Sequence, residues 1–148
     1  MSPSPTPLVV LDTNVVLDLF FFEDRRCATL LEAISTDRCR WVATPEMRAE
    51  IDHVLQRGLR GAWTGNAGTV DTAWARWATT VEPDGRPTLA RMRCTDADDQ
   101  KFIDLALQVG ARSLLSADRA VLRLARRARD HGLEIATVEQ WTARTTPP

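Results

Sequence analysis

This 148-residue chain has no apolar stretch approaching the roughly 20 residues that a membrane span requires. Its start, MSPSPTP, has neither a charged n-region nor an apolar core, so it does not read as a secretory signal. Cysteine is scarce. Cys27, Cys39 and Cys94 are odd in number and lack CxxC spacing, which excludes a disulfide scaffold and a cysteine zinc site and points to a reducing compartment. His53 and His131 have no partner at metal-ligand spacing and read as structural or exposed. A net charge of −1 excludes coating nucleic acid by bulk electrostatics, although local patches can still guide a phosphate backbone. Lysine is nearly missing: of 19 basic residues only Lys101 is lysine, a bias that a GC-rich genome produces as readily as selection for bidentate phosphate contacts. These absences leave a soluble cytoplasmic protein with no membrane partner.

What is present is ordinary globular composition, 44% hydrophobic and 26% charged, in a length that suits one domain with one sizeable core. Met1 to Pro7 alternate with proline and read as a flexible leader, and 145–148 as a flexible tail. Leu8 to Asp12 form a continuous apolar run, as in a strand covered on both faces. Helices follow around Val15 to Phe22 and Arg25 to Ser35, then a short strand from Arg40 to Ala43. Thr44 and Pro45 give a cap residue and a proline at the first helical position, starting a helix that runs to about Gln56. Gly58 to Gly68 reads as a loop, Val70 to Ala78 as a helix, and Pro83 to Pro87 as a turn. Asp96 caps a helix from about Asp98 to Val109, closed by Gly110. A strand at Ser113 to Ser116, a helix from Arg119 to Asp130 closed by Gly132, a strand EIATV and a short helix around Trp141 complete the chain. Alternating strands and helices predict a parallel sheet flanked by helices.

Four carboxylates stand out in that framework: Asp12, Glu50, Asp99 and Asp118. Asp12 ends the run PLVVLD and Asp118 ends SLLSAD, the strand ends where open parallel sheets form sites. Each is equally an ordinary helix cap. Met47, Ile51, Val54 and Leu55 form the inward stripe of their helix. Glu50 falls roughly 60° from Met47, on the edge of that stripe, where it is either functional or snorkelling from the core rim. Asp99 shares a face with Phe102, Ile103 and Ala106, but Asp96 and Asp99 also have capping spacing. Asp98 lies close to the same face, so spacing alone does not choose between it and Asp99. Asp104 points away and is expected to be solvated. Unpaired carboxylates are costly to bury, and a cluster of them calls for cations; oxygen ligands suit hard divalent metal.

The segments VVLDTNVVLD, MRAEIDHVL, CTDADDQKFIDLAL and LLSAD together resemble a PIN domain, in the expected order and from Leu8 to Trp141. The chain is most similar to the VapC-like bacterial PIN proteins classed as toxins of toxin–antitoxin pairs. The resemblance implies a three-layer α/β/α PIN-like fold with a central parallel sheet flanked by helices, as a single domain over residues 8–144. It places the family's acids on Asp12, Glu50, Asp99 and Asp118, and the alanine seven residues after the third acid, Ala106, selects Asp99 over Asp98. Asn14 and Ser116 match polar positions that line such sites. Ala97 stands where the family usually has proline. The implied activity is Mg²⁺- or Mn²⁺-dependent cleavage of single-stranded RNA, leaving 5′-phosphate and 3′-hydroxyl ends. One or two ions roughly 4 Å apart would act in two-metal-type phosphodiester hydrolysis. Asp12, Asp99 and Asp118 would ligate metal, with Glu50 a ligand or water-positioning residue. Crowding should make some of these acids hold protons more readily than isolated ones. The implied partners are a cognate antitoxin and a second copy of the chain in a homodimer.

Other features have two readings each. Arg119, Arg123 and Arg126 follow i, i+4, i+7 spacing and form either an RNA-binding stripe or a solvated face. Trp74 and Trp77, one turn apart, either stack on bases or pack under a helix. The Phe20 to Phe22 run reads as core or dimer face. A haloacid-dehalogenase-like phosphatase would need a second Asp where Asn14 stands, and neither that family nor a receiver domain finds its late lysine here. The remaining alternatives to a toxin are a housekeeping RNA-processing nuclease and a PIN-fold binding module without significant catalysis.

Overall fold

The computed structural model describes residues 5–57, 67–84 and 92–145. Most of the leader, nearly all of the Gly58 to Gly68 loop, the end of the Pro83 to Pro87 turn and most of the tail lie outside the described residues. Five parallel strands form the sheet: β1 (Leu8–Leu11), β2 (Arg40–Ala43), β3 (Thr79–Thr80), β4 (Ser113–Leu115) and β5 (Glu134–Ala136), in the order β3-β2-β1-β4-β5. Valine, leucine and tryptophan in β1 and β2 suit strands buried on both faces. Val9, Val10, Leu11, Trp41, Val42 and Ala43 are all buried.

Helices α1 (Thr13–Phe20), α2 (Ala28–Ser35), α3 (Pro45–Gln56) and α4 (Ala67–Trp77) connect the first three strands. Helix α5 (Gln100–Val109) leads into β4, α6 (Arg119–Leu122) and α7 (Ala125–Arg129) join β4 to β5, and α8 (Val138–Thr145) follows β5. The chain steps from β1 outward to β2 and β3, then returns across the sheet to β4 and β5. Right-handed crossovers therefore put α1, α3 and α4 on one face and α5 to α7 on the other, giving the three-layer α/β/α fold. Helix α1 packs against α3 and α4, α5 against β1 and β4, and α7 against β5.

Local chemistry sets the boundaries. Thr44 Oγ1 accepts from Met47 N–H at 3.3 Å with Pro45 beside it, the start read from the sequence. Gly110, at φ 65°, ends α5 in the left-handed conformation that glycine adopts freely. The stretch from Arg119 to Asp130 is not one helix. Leu124 is buried and its N–H reaches back only to Val121, at 3.0 Å, so the turn tightens and separates α6 from α7. Strand β3, a two-residue edge, has no apolar signal; Thr79 and Thr80 are exposed and held by pairing with Val42 and Ala43.

The phenylalanine run belongs to the core: Phe20 and Phe21 are buried and Phe22 is half-buried. Phe20 stacks on Trp41 at 5.4 Å and on Trp77 at 5.9 Å, while Trp74 meets Trp41 edge-on at 4.9 Å. The α4 tryptophans therefore pack against β2 and α1. Truncating Phe20 to alanine removes the ring joining three elements and should cost roughly 3 to 5 kcal/mol. Urea unfolding followed by tryptophan fluorescence measures this, and Phe22→Ala, at the half-buried end of the run, should cost less.

Candidate active site

Strand order reverses between β1 and β4, and such a switch point leaves a crevice at the strands' carboxyl ends. Leu11 pairs with Leu115, so the residues that follow, Asp12 and Ser116, emerge side by side. Asp12 N–H donates to Leu115 C=O at 3.1 Å, extending the ladder by one step. The Asp12 carboxylate is buried, at 3% exposure, and is held from two sides. Its Oδ1 accepts from Val15 N–H at 3.0 Å, capping α1, and its Oδ2 accepts from the Ser116 hydroxyl. Ser116 is fully buried, and its Oγ also accepts from Asp118 N–H at 3.0 Å. One serine thus fixes both the side chain at the end of β1 and the backbone at the end of β4.

Asp118 caps α6, its Oδ1 accepting from Ala120 N–H at 2.8 Å. Asp96 caps the short 3-10 turn that enters α5, accepting from Asp98 N–H at 3.0 Å. Asp99 closes that turn and is half-buried, with no hydrogen bond to its fully covered Oδ2. Carboxylate oxygens of Asp96, Asp99 and Asp118 lie within 4.8 Å of one another. Capping and clustering are therefore not alternatives: Asp96 and Asp118 each do both.

Electrostatics follow from this geometry. Burial, followed by the facing Asp118 carboxylate and the charges of Asp96 and Asp12, pushes the Asp99 carboxyl up to about 7 from the ordinary 3.8. Burial also raises Asp12, although the donors Ser116, Val15 and Ala117 pull the other way. A covered carboxylate oxygen without a donor, beside two further carboxylates, fits a divalent cation with oxygen ligands, the donor set that Mg²⁺ and Mn²⁺ prefer.

Glu50 stands differently. Its Oε2 accepts from Thr13 Oγ1 at 2.7 Å and faces Lys101 Nζ at 3.2 Å. Asp98 is exposed and Asp99 is turned into the cluster, the choice that spacing alone left open. Asp104 is not simply solvated: it is half-buried and accepts from Gln100 Nε2 at 2.9 Å. Asn14 is exposed in the first turn of α1. Arg119, Arg123 and Arg126 are exposed, but the break at Leu124 interrupts the spacing that would align them. His53 and His131 are exposed.

Sequence reasoning missed three participants. Thr13 gave a signal only by following Asp12. Asp96 was read solely as a cap. Lys101 was weighed against other families' lysines, and its place one helical turn from the acids was not used.

The raised Asp99 carboxyl has a consequence for stability. In metal-free protein the folded state holds a proton that the unfolded chain has lost, between the unfolded value near 3.8 and the folded value near 7. Stability therefore falls as pH rises through that window and stays low above it. Melting in EDTA should occur at lower temperature at pH 8 than at pH 5, and Asp99→Asn should shrink the difference. Adding Mg²⁺ or Mn²⁺ at pH 8 should restore the loss.

No curated protein matches this chain. A family model described as PIN domain matches residues 8–120, more than half of the sequence, from the start of β1 through Asp118 to the first turn of α6. The matched span contains Asp12, Glu50, Asp96, Asp99 and Asp118. With the five-stranded parallel sheet and acids at its switch point, this shows that the chain belongs to the PIN domain family.

Proposed function

We propose that this protein is a Mg²⁺- or Mn²⁺-dependent endoribonuclease that cleaves single-stranded RNA, acting as the toxin of a toxin–antitoxin pair. PIN domains are generally nucleases, and no helix among the described residues is long and apolar enough to cross a membrane. The observation that carries the reading is the gathering of Asp96, Asp99 and Asp118 carboxylate oxygens within 4.8 Å of one another, with Asp99 Oδ2 covered and without a hydrogen-bond partner. Such an arrangement is unfavourable unless a cation or a proton compensates it.

In this reading Asp99, Asp118 and Asp96 would hold the ion, with the buried Asp12 carboxylate beside them. A bound divalent ion supplies positive charge to the scissile phosphate and lowers the pKa of water beside it. The chain's own groups do the rest. Glu50 has Oε2 committed to Thr13 and Lys101, which leaves Oε1 to accept a hydrogen bond from the attacking water and orient it in line. The water oxygen bonds to phosphorus as the bond to the 3′ oxygen breaks; the water releases a proton to solvent and the departing oxygen takes one up from solvent, giving a 5′-phosphate and a 3′-hydroxyl. Ser116 keeps Asp12 and Asp118 in register. Exposed Arg119, Arg123 and Arg126, beginning beside Asp118, offer guanidinium groups to the RNA backbone, and exposed Asn14 offers a polar contact at the rim.

The proposed partners beyond RNA are a cognate antitoxin and a second copy of the chain. Cytoplasmic location accords with three free cysteines, of which Cys27 and Cys39 are pushed up to about 11 by burial and are therefore unreactive thiols.

The test is cleavage of a labelled mixed-sequence single-stranded RNA in Mg²⁺, Mn²⁺ or EDTA. Wild type should cut only with metal. Asp99→Asn and Asp118→Asn should lose about 100-fold or more, and Ser116→Ala, acting one step back, about 10- to 100-fold. Equal cutting by wild type and both Asp→Asn variants would remove the assigned site. Growth arrest on expression that a small co-encoded protein relieves would support the toxin role; growth without arrest would favour housekeeping RNA processing.

A further inference from the structure

The acidic residues do not share one electrostatic problem. The trio of Asp96, Asp99 and Asp118 has no cationic side chain in contact with it among the described residues, while Glu50 already has one. Lys101 is the chain's single lysine and projects from the first turn of α5, two residues after Asp99. Its side chain is only 17% exposed. The ammonium lies 3.2 Å from Glu50 Oε2, donates to the Asp98 carbonyl oxygen and sits 4.9 Å from the centre of the Phe102 ring. Thr13 Oγ1 donates to the same Glu50 oxygen at 2.7 Å.

The oxygens that Lys101 touches, a carboxylate and a backbone carbonyl, are of the kind that a hard divalent cation also takes. Resting on the metal-dependent reading above, we infer that Lys101 takes the place of a second cation on the Glu50 side, so that the RNA-free protein holds one divalent ion rather than two. The amine is a compact point charge with three donors, so it satisfies Glu50 and the Asp98 carbonyl together. It joins Glu50 of α3 to the start of α5. Lys101 is a positioning residue, acting through Glu50. Its charge also lowers the attraction of that corner for any further cation, whereas the trio retains its own.

The experiment is Mn²⁺ titration of the EDTA-stripped full chain by calorimetry, with bound Mn²⁺ counted independently by electron paramagnetic resonance. Wild type should bind one Mn²⁺ per chain. Lys101→Met, which keeps the stem against Phe102 and removes the charge, should gain a second and weaker Mn²⁺, and Lys101→Met with Glu50→Gln should return to one. Lys101→Arg should stay at one. A residue that merely braced the fold would not add a metal site when replaced. Two Mn²⁺ per chain in wild type would overturn this inference while leaving the nuclease reading intact, as would one Mn²⁺ in a Lys101→Met protein whose circular dichroism matches wild type. No Mn²⁺ bound by wild type would overturn the metal-dependent reading itself, and this inference with it.

Discussion

The hydrogen bond from the Ser116 hydroxyl to Asp12 fastens two adjacent parallel strands at the point where the strand order reverses. Asp12 and Asp118 are both held by that hydroxyl. The same oxygen receives Asp118 N–H, Asp118 caps α6, and Asp12 caps α1, so two helices and two strands take their positions from one buried polar contact. Buried hydroxyls and carboxylates are tolerable only when paired, and here the two aspartates that Ser116 holds each start a helix. The consequence is precision: the strands are short, yet the acids at their ends have little freedom to move apart.

That rigidity brings a cost. Asp99 is turned toward Asp118 with its Oδ2 covered and without a donor, and its carboxyl holds a proton to about pH 7 in the absence of a cation. The surrounding core is apolar, with Phe102, Ile103 and Leu114 fully buried, although the buried Trp41 indole N–H also lacks a hydrogen-bond partner. Stored electrostatic strain of this kind is typical of sites that act on charged ligands. Glu50 is outside the strained part because Lys101 and Thr13 satisfy it. The acids thus divide by environment: a cluster with no cationic partner among the described residues, and a glutamate that has one.

Much of the fold was legible because local and global signals agree. The run LVVL, the Thr44–Pro45 start and Gly110 at the end of α5 each have one strong physical reading, and each element forms where that reading puts it. Strand β3 was not legible, since two exposed threonines owe their strand geometry to the neighbouring β2 rather than to their own pattern. The division of Arg119 to Asp130 escaped for a similar reason: Leu124 tightens its turn to reach the core, a tertiary demand that periodicity does not encode. Of the candidate site, the positions of Asp12 and Asp118 just beyond β1 and β4 followed from the apolar runs that precede them. The part played by Asp96 did not, because capping and clustering look identical in sequence. Nor did that of Lys101, since a salt bridge between α3 and α5 joins residues about fifty positions apart.

In the proposed mechanism Asp99, with its covered oxygen, and Asp118 share one divalent cation. The most direct measurement is an anomalous difference map from crystals soaked in Mn²⁺. The expected result is a Mn²⁺ peak within bonding distance of carboxylate oxygens of both Asp99 and Asp118. A well-ordered site with no peak there, or with Mn²⁺ bound only elsewhere on the surface, would contradict it.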